Sequence, residues 1–154
     1  MLLKRIKKFF AGFVYAGRGI VHAISTQRNM RVHIAVAVLT AILAKAARVG
    51  RLGFAAIFIC FGLVIALEMV NTALEEFVNG VYPEYNETAK VVKDVAAGAV
   101  LVAAIASVCV AVVLMSQPGC VENLVERFRT DIIFTGMLVA MVPVSFLFVF
   151  GWKD

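Results

Sequence analysis

The sequence predicts an all-α integral membrane protein, in which an amphipathic surface helix is followed by four transmembrane helices. Composition is the first observation behind this fold class. The 154 residues are 62% hydrophobic and 16% charged, with a mean hydropathy of +0.94, whereas a soluble domain is about half apolar and about a quarter charged. The second observation is that residues 95–115 and 132–152 form two uncharged runs, each long enough to cross a bilayer.

The N-terminal segment, residues 2–25, is predicted to be a basic amphipathic helix that lies on the membrane surface. Its apolar residues recur at helical spacing, and the opposite side carries Lys4, Arg5, Lys7 and Lys8. A secretory signal peptide is excluded, because Arg18 interrupts the apolar stretch and no small-residue cleavage site follows.

The transmembrane helices are predicted at residues 30–47, 51–79, 87–116 and 132–154, and residues 117–131 are predicted to be a polar connector. The first apolar run is short, but Lys45 near its end can extend its ammonium group to the membrane surface. Gly80 and Pro83 end the second helix, and Pro143 is expected to kink the fourth. Cys60 and Cys109 fall in apolar runs and Cys120 in the connector, so all three cysteines are interpreted as packing residues.

The distribution of lysine and arginine predicts the orientation of the four helices. One side carries ten of these residues and the other carries five (Lys45, Arg48, Arg51, Arg127 and Arg129). The side with more basic residues is expected to face the cytoplasm. The basic residues are scattered between the spans, which excludes a nucleic-acid partner and favours anionic lipid surfaces.

The second transmembrane helix carries an unusual polar face near its cytoplasmic end. At 100° per residue, five oxygen-bearing side chains fall within roughly one 100° arc: Glu68, Asn71, Thr72, Glu75 and Asn79. Glu68 lies two turns deeper than Glu75 and has apolar neighbours. An ionisable residue at such depth is costly to insert and is therefore interpreted as functional.

Charged and amide residues from two other helices are expected at the same level. The next helix contributes Lys90, Lys93 and Asp94 on one face, and the segment before the first span contributes Gln27, Arg28 and Asn29, with Arg31 and His33 close behind. Three helices therefore converge on one interfacial polar layer. His22 and His33 themselves are interpreted as packing or surface residues.

The stretch from Glu68 to Asn79, EMVNTALEEFVN, resembles the signature of the prokaryotic diacylglycerol kinase family, E-x-[apolar]-N-[ST]-[SA]-[apolar]-E-x-x-[apolar]-D. YAGRGI, RNMRVH and AKVVKDVAAGAVL match further family segments in the same order. The resemblance covers about residues 5–116 and is strongest to the Gram-positive branch, whose members phosphorylate undecaprenol or diacylglycerol. Residues 1–116 are therefore predicted to be the kinase domain, and residues 132–154 an additional helix.

The resemblance implies an ATP-dependent lipid kinase of the bacterial inner membrane, with Mg²⁺ as cofactor, a homotrimeric assembly and an active site that faces the cytoplasm. Glu68 is implied as the general base and Asn71 as the residue that organises the site. The implied nucleotide-binding residues are Tyr15, Arg18, Glu75, Asn79, Lys93 and Asp94. Glu75 is also implied as a metal ligand.

The chain departs from the family pattern at three places. Gln27 occupies the position of a second metal-binding glutamate, and Asn79 replaces an aspartate. Both changes remove negative charge from the metal site, which predicts weaker activity or a greater need for Mg²⁺. The fourth transmembrane helix is the third departure, because the family has three.

Two other functions are consistent with the same residues. A small proton-coupled transporter also needs a deep glutamate in a helical bundle. A kinase-like membrane subunit without catalytic activity is consistent with the loss of the carboxylate at Gln27. Neither the lipid that is phosphorylated nor the oligomeric state follows from the sequence.

Overall fold

The computed structural model describes residues 2–151, and within this range it contains six α-helices and no strand. The helices are α1 (Leu2–Thr26), α2 (Arg28–Ala46), α3 (Arg51–Val81), α4 (Glu87–Met115), α5 (Cys120–Thr130) and α6 (Ile132–Phe150). Four of them, α2, α3, α4 and α6, have the length and hydropathy to cross a membrane. The predicted all-α membrane fold is confirmed. Residues 152–154 lie outside the described residues. They form the end of the predicted fourth span, and Lys153 is among the ten basic residues counted on the cytoplasmic side.

Helix α3 is the longest element, and α4 packs against it more extensively than any other pair of helices. Its 31 residues extend over about 46 Å, which exceeds the hydrocarbon core of about 30 Å. The polar C-terminal part of α3 can therefore reach the headgroup level. A short connector then reverses the chain, and Asn86 caps α4 by accepting a hydrogen bond from the Ala89 amide at 3.0 Å.

At the opposite end of α3, the chain turns tightly between α2 and α3. Arg48 adopts a left-handed conformation with φ 56°, and the Val49 amide donates to the Ala44 carbonyl at 3.0 Å. Around this turn lies an apolar cluster, which we call the packed end. Its buried members are Ala44, Ala47, Val49, Ile57, Leu114 and Cys120.

The predicted polar connector forms an amphipathic helix, α5, which closes the packed end. Gly119 precedes it with φ 84°, a conformation that glycine adopts without steric cost. Arg127 lies in the last turn of α5, where a cation is favoured by the helix dipole, and pairs with Asp131 at 2.8 Å. Cys120 was expected in a loop, but it is the first residue of α5 and is 5% exposed, because its side chain completes the apolar cluster.

Helix α6 packs against α2 and α5 and continues through Pro143. Its last turn is tied to the rest of the chain by the buried Arg31, whose Nε donates to the Val149 carbonyl at 3.1 Å. The same guanidinium donates through Nη1 to the carbonyls of Ile24 and Ser25 at the end of α1. Arg31 thus joins the ends of α1 and α6 to the start of α2.

Candidate active site

The polar face of α3 is buried where it meets the other helices. Glu68 is 2% exposed, Asn71 5% and Thr72 4%, while Glu75 one turn further along is half-buried. The four residues recur at i, i+3, i+4 and i+7, which keeps them on one stripe of the helix. The structure therefore brings together the deep carboxylate, the amide and the outer carboxylate that the sequence singles out.

Hydrogen bonds within α3 fix the orientation of this stripe. Thr72 Oγ1 donates to the Glu68 carbonyl at 2.9 Å, and Asn71 Nδ2 donates to Glu75 Oε1 at 3.1 Å. Asn71 Oδ1 is buried and has no partner among the described residues. A buried acceptor without a partner costs about 1–3 kcal/mol, so this oxygen is available to a ligand.

His33 of α2 lies beside the deep carboxylate, with Nε2 4.0 Å from Glu68 Oε2. This distance is too long for a direct hydrogen bond. The sequence interpretation treated His33 as a packing or surface residue, and its proximity to Glu68 was missed. The available signal was that His33 stands one residue inside the apolar run of α2, at the level already predicted for the polar layer.

The outer part of the face meets α4. Lys93 Nζ donates to Asn79 Oδ1 at 2.6 Å, which holds the lysine ammonium against the end of α3. Asp94 is the next residue of α4 and is exposed. The asparagine that stands in place of the family's aspartate is therefore within reach of the predicted phosphate-binding lysine.

The surface helix α1 contacts α3 through a pair of side chains, His22 Nε2 and Glu76 Oε1. Glu76 is the residue next to Glu75, but its carboxylate is paired with His22. Tyr15 and Arg18 are exposed and lie next to each other, with the Arg18 guanidinium carbon 6.0 Å from the centre of the Tyr15 ring. They precede His22 by about two turns and one turn of α1, respectively.

The resemblance implies a divalent cation that binds together with ATP, and the described residues offer a partial ligand set for it. Glu75 and the unpartnered Asn71 Oδ1 supply oxygen ligands one turn apart. Within residues 2–151, no group of three His, Cys, Asp or Glu could hold a metal ion. Mg²⁺ commonly takes one or two carboxylates together with waters and phosphate oxygens, so this set fits a cation that arrives with the nucleotide.

Gln27 is the N-cap residue of α2 and is half-buried. Its side chain makes no capping hydrogen bond, so the amide oxygen is not committed to the helix end. The Gln27 amide is therefore free of the capping role. None of the hydrogen bonds described above joins it to Glu75.

Comparison with known proteins points to one family. The family model for prokaryotic diacylglycerol kinase matches residues 14–115, so α5 and α6 lie beyond the match. A protein from Synechocystis sp. (strain ATCC 27184 / PCC 6803 / Kazusa) named diacylglycerol kinase is 45% identical over 109 residues, which cover 69% of this chain and 61% of that protein. A protein from Bacillus subtilis (strain 168) named undecaprenol kinase is 36% identical over 113 residues, which cover 73% of this chain and 91% of that protein. No solved structure matches the chain.

Proposed function

Because the chain belongs to the prokaryotic diacylglycerol kinase family, we propose that it is a lipid kinase that transfers the γ-phosphate of ATP to the hydroxyl of a membrane lipid alcohol. The two similar proteins are named for diacylglycerol and undecaprenol. Both molecules present a hydroxyl at the headgroup level and a hydrocarbon part in the bilayer, and we propose this class of acceptor for the present chain.

The observation that carries the proposal is the buried Glu68 on the same stripe as the Asn71–Glu75 pair. Glu68 and Glu75 are seven residues apart, which separates them by about 10 Å along the helix axis. The acceptor hydroxyl and the polyphosphate can therefore be held on one face of α3 at successive depths. A proton-coupled transporter would need the deep glutamate, but not the outer pair or the lysine that is bonded to Asn79.

In the proposed reaction, Glu68 accepts the proton of the lipid hydroxyl as the oxygen bonds to the γ-phosphorus. The bond from that phosphorus to the β,γ-bridging oxygen breaks, and ADP leaves with the electron pair. Lys93, together with Arg18 from α1, supplies positive charge to the phosphates, and Asn71 keeps Glu75 oriented. A divalent cation held by Glu75 and Asn71 Oδ1 would supply charge neutralisation for the β- and γ-phosphates.

We further propose that the polar layer faces the cytoplasm of a bacterial inner membrane, where ATP is available. The basic-residue count supports this orientation. The kinase unit is proposed at residues 1–116, in agreement with the end of the family match at residue 115, and α6 is proposed as an addition to it. A homotrimer is proposed from the resemblance alone.

The test is a transfer assay with γ-labelled ATP and the purified full chain in lipid–detergent micelles. Undecaprenol and diacylglycerol are offered side by side, with Mg²⁺ in excess. The expected result is labelled lipid phosphate with at least one of the two alcohols. If neither alcohol is labelled by the wild type but Gln27→Glu labels one, the chain is a lapsed kinase whose missing carboxylate explains the loss. If neither protein transfers phosphate to either alcohol, the proposed function is wrong.

A further inference from the structure

The guanidinium of Arg31 lies where the C-terminal ends of α1 and α6 meet the first turn of α2. The side chain is only 1% exposed. Its Nε donates to the Val149 carbonyl of α6 at 3.1 Å, and its Nη1 donates to the α1 carbonyls of Ile24 at 3.2 Å and Ser25 at 3.1 Å. One buried cation therefore bonds two helix ends that are far apart in the sequence.

The carbonyls that Arg31 bonds are ones that neither helix can satisfy by itself. The last four carbonyls of a helix have no partner within it, and Ile24 and Ser25 of α1 and Val149 of α6 are all in this class. The helix dipole also favours a cation at this end. A guanidinium has a planar fork of donors that can bond both ends at once. Arg31 thus caps α1 and α6 together.

A second contact joins the end of α6 to the start of α2. The Arg28 guanidinium carbon lies 5.9 Å from the centre of the Phe150 ring, within the range of a cation–π interaction. Arg28 and Arg31 are three residues apart and therefore neighbours on the surface of α2. The family match ends at residue 115, so both contacts are made by a helix from outside the family unit.

The α1 end that Arg31 holds belongs to the helix that carries Tyr15 and Arg18. Arg18 precedes Ile24 by six residues, which is about 9 Å along the helix axis. Helix α1 is continuous from Leu2 to Thr26, so the placement of its last turn also determines the placement of Arg18. The pairing of His22 with Glu76 of α3 lies between these two points of α1.

From these contacts we infer that α6 holds α1 in its nucleotide-binding position through Arg31, and that the additional span thereby strengthens the binding of ATP. Arg31 is then a positioning residue that acts through Arg18. The inference rests on the proposed function, in which Arg18 contacts the phosphates, and it gives α6 a role in that function. A helix that served only as packing would need apolar side chains alone, because a buried cation is often replaced by apolar residues without loss of stability.

The first experiment turns the Val149 carbonyl away from Arg31 without changing Arg31. Phe150→Pro does this, because the residue before a proline is driven out of the helical conformation. Phe150→Ala is the matched control, since it also removes the ring from Arg28 but keeps the helical backbone. The affinity for a fluorescent ATP analogue is measured with the purified full chains in nanodiscs, and kcat is measured at saturating ATP.

We expect Phe150→Pro to raise the Kd for the ATP analogue by about threefold or more relative to Phe150→Ala. A hydrogen bond to a charged group contributes about tenfold or more to an equilibrium constant, and part of this contribution should reach the nucleotide. The kcat and the KM for the lipid should stay within about twofold. Equal affinities in the two variants, or losses of kcat as large as the loss of affinity, would overturn the inference. Because nucleotide binding is measured directly, a wild type that binds ATP but phosphorylates no lipid refutes the proposed function alone.

A double-mutant cycle separates the Arg31 link from general damage to α6. Arg31→Lys keeps the charge but lacks the fork that bonds both helix ends, so it should also weaken ATP binding. In the Arg31→Lys background, Phe150→Pro should have little further effect, because the carbonyl has already lost its partner. Additive losses would mean that α6 acts by another route and would overturn the inference.

The last experiment uses the wild-type chain, so it does not depend on the folding of a variant. If α6 raises the affinity for ATP, then ATP must stabilise the α6 contact by the same factor. Amide hydrogen exchange is compared with and without a non-hydrolysable ATP analogue and Mg²⁺. We expect slower exchange in the last turns of both α1 and α6 and no change in the packed end. Slower exchange in α1 with an unchanged last turn of α6 would contradict the inference.

Discussion

The two ends of the helical bundle are built from opposite kinds of side chain. The packed end, around the turn between α2 and α3, buries only apolar residues, with Ala47 at 0% and Leu114 at 7% exposure. The other end, which we call the polar end, contains all the polar or charged residues that are buried in the described part of the chain: Arg31, Glu68, Asn71 and Thr72.

This difference separates the apolar packing of one end from the groups of the proposed site at the other, except that the buried Arg31 of the polar end joins α1 and α6 to α2. Replacing buried ionic groups with well-packed apolar residues is often neutral or stabilising, so apolar packing is enough to hold helices together. The packed end consists of such packing. The polar end keeps a deep carboxylate and an amide oxygen without a partner. In the proposed phosphoryl transfer, the carboxylate accepts the hydroxyl proton and the amide oxygen is available to the cation.

The largest expected effect is the all-or-none labelling of the two ends. In spheroplasts, an impermeant maleimide should label Gln117→Cys, in the exposed turn before α5, and should label Glu84→Cys only after permeabilisation. Native Cys120 should stay unlabelled in both cases because its side chain is buried. The reverse pattern for the two introduced cysteines would put the polar end outside the compartment that holds ATP.

Glu68→Gln should reduce phosphate transfer by about 10²-fold or more, because an amide cannot accept the hydroxyl proton. ATP affinity should remain near the wild-type value, and turnover and nucleotide binding are measured in parallel. Glu84→Gln is the control, since Glu84 is exposed in the connector before α4. A Glu68→Gln protein that keeps more than about a tenth of the rate would rule out the general-base role.

Changes at Gln27 should have a smaller effect, of several-fold, on the Mg²⁺ requirement. Gln27→Glu adds a formal negative charge where an amide offers only a dipole, so the Mg²⁺ concentration for half-maximal activity should fall. Gln27→Ala should raise it, and Glu75→Gln should raise it most. All four proteins are titrated with Mg²⁺ at fixed ATP. If Gln27→Glu leaves the titration unchanged while Glu75→Gln shifts it, Gln27 does not approach the metal.

The smallest expected effect compares two glycines of α3. Gly62→Ala meets no atom within 4 Å and should stabilise the helix by up to about 1 kcal/mol. At Gly53, in the packed end, an added Cβ would clash with Val49 Cγ1 and lie 3.0 Å from Leu114 Cδ2, so Gly53→Ala should give no gain or a loss. Thermal unfolding midpoints in detergent measure both, and transfer rates should be unchanged. An equal gain at both sites would mean that the packed end is looser than described.

The sequence alone was sufficient for the fold class and for the polar stripe of α3. Hydropathy and helical periodicity are local properties, because the bilayer requires each span to be apolar and to satisfy its own backbone hydrogen bonds. For the same reason, the angular spacing of Glu68, Asn71 and Glu75 could be calculated before any helix packing was known. The resemblance to the family that the comparisons support was carried by that same stripe.

Only the tertiary structure decided which side chains from different helices meet. The pairs His22–Glu76 and Arg31–Val149 join residues 54 and 118 positions apart, and the approach of His33 to Glu68 likewise depends on how α2 packs against α3. The burial of Cys120 has the same origin. Helix packing is set by the shapes of whole side-chain surfaces rather than by the pattern along one helix, so these contacts could not be derived from the sequence of any single span.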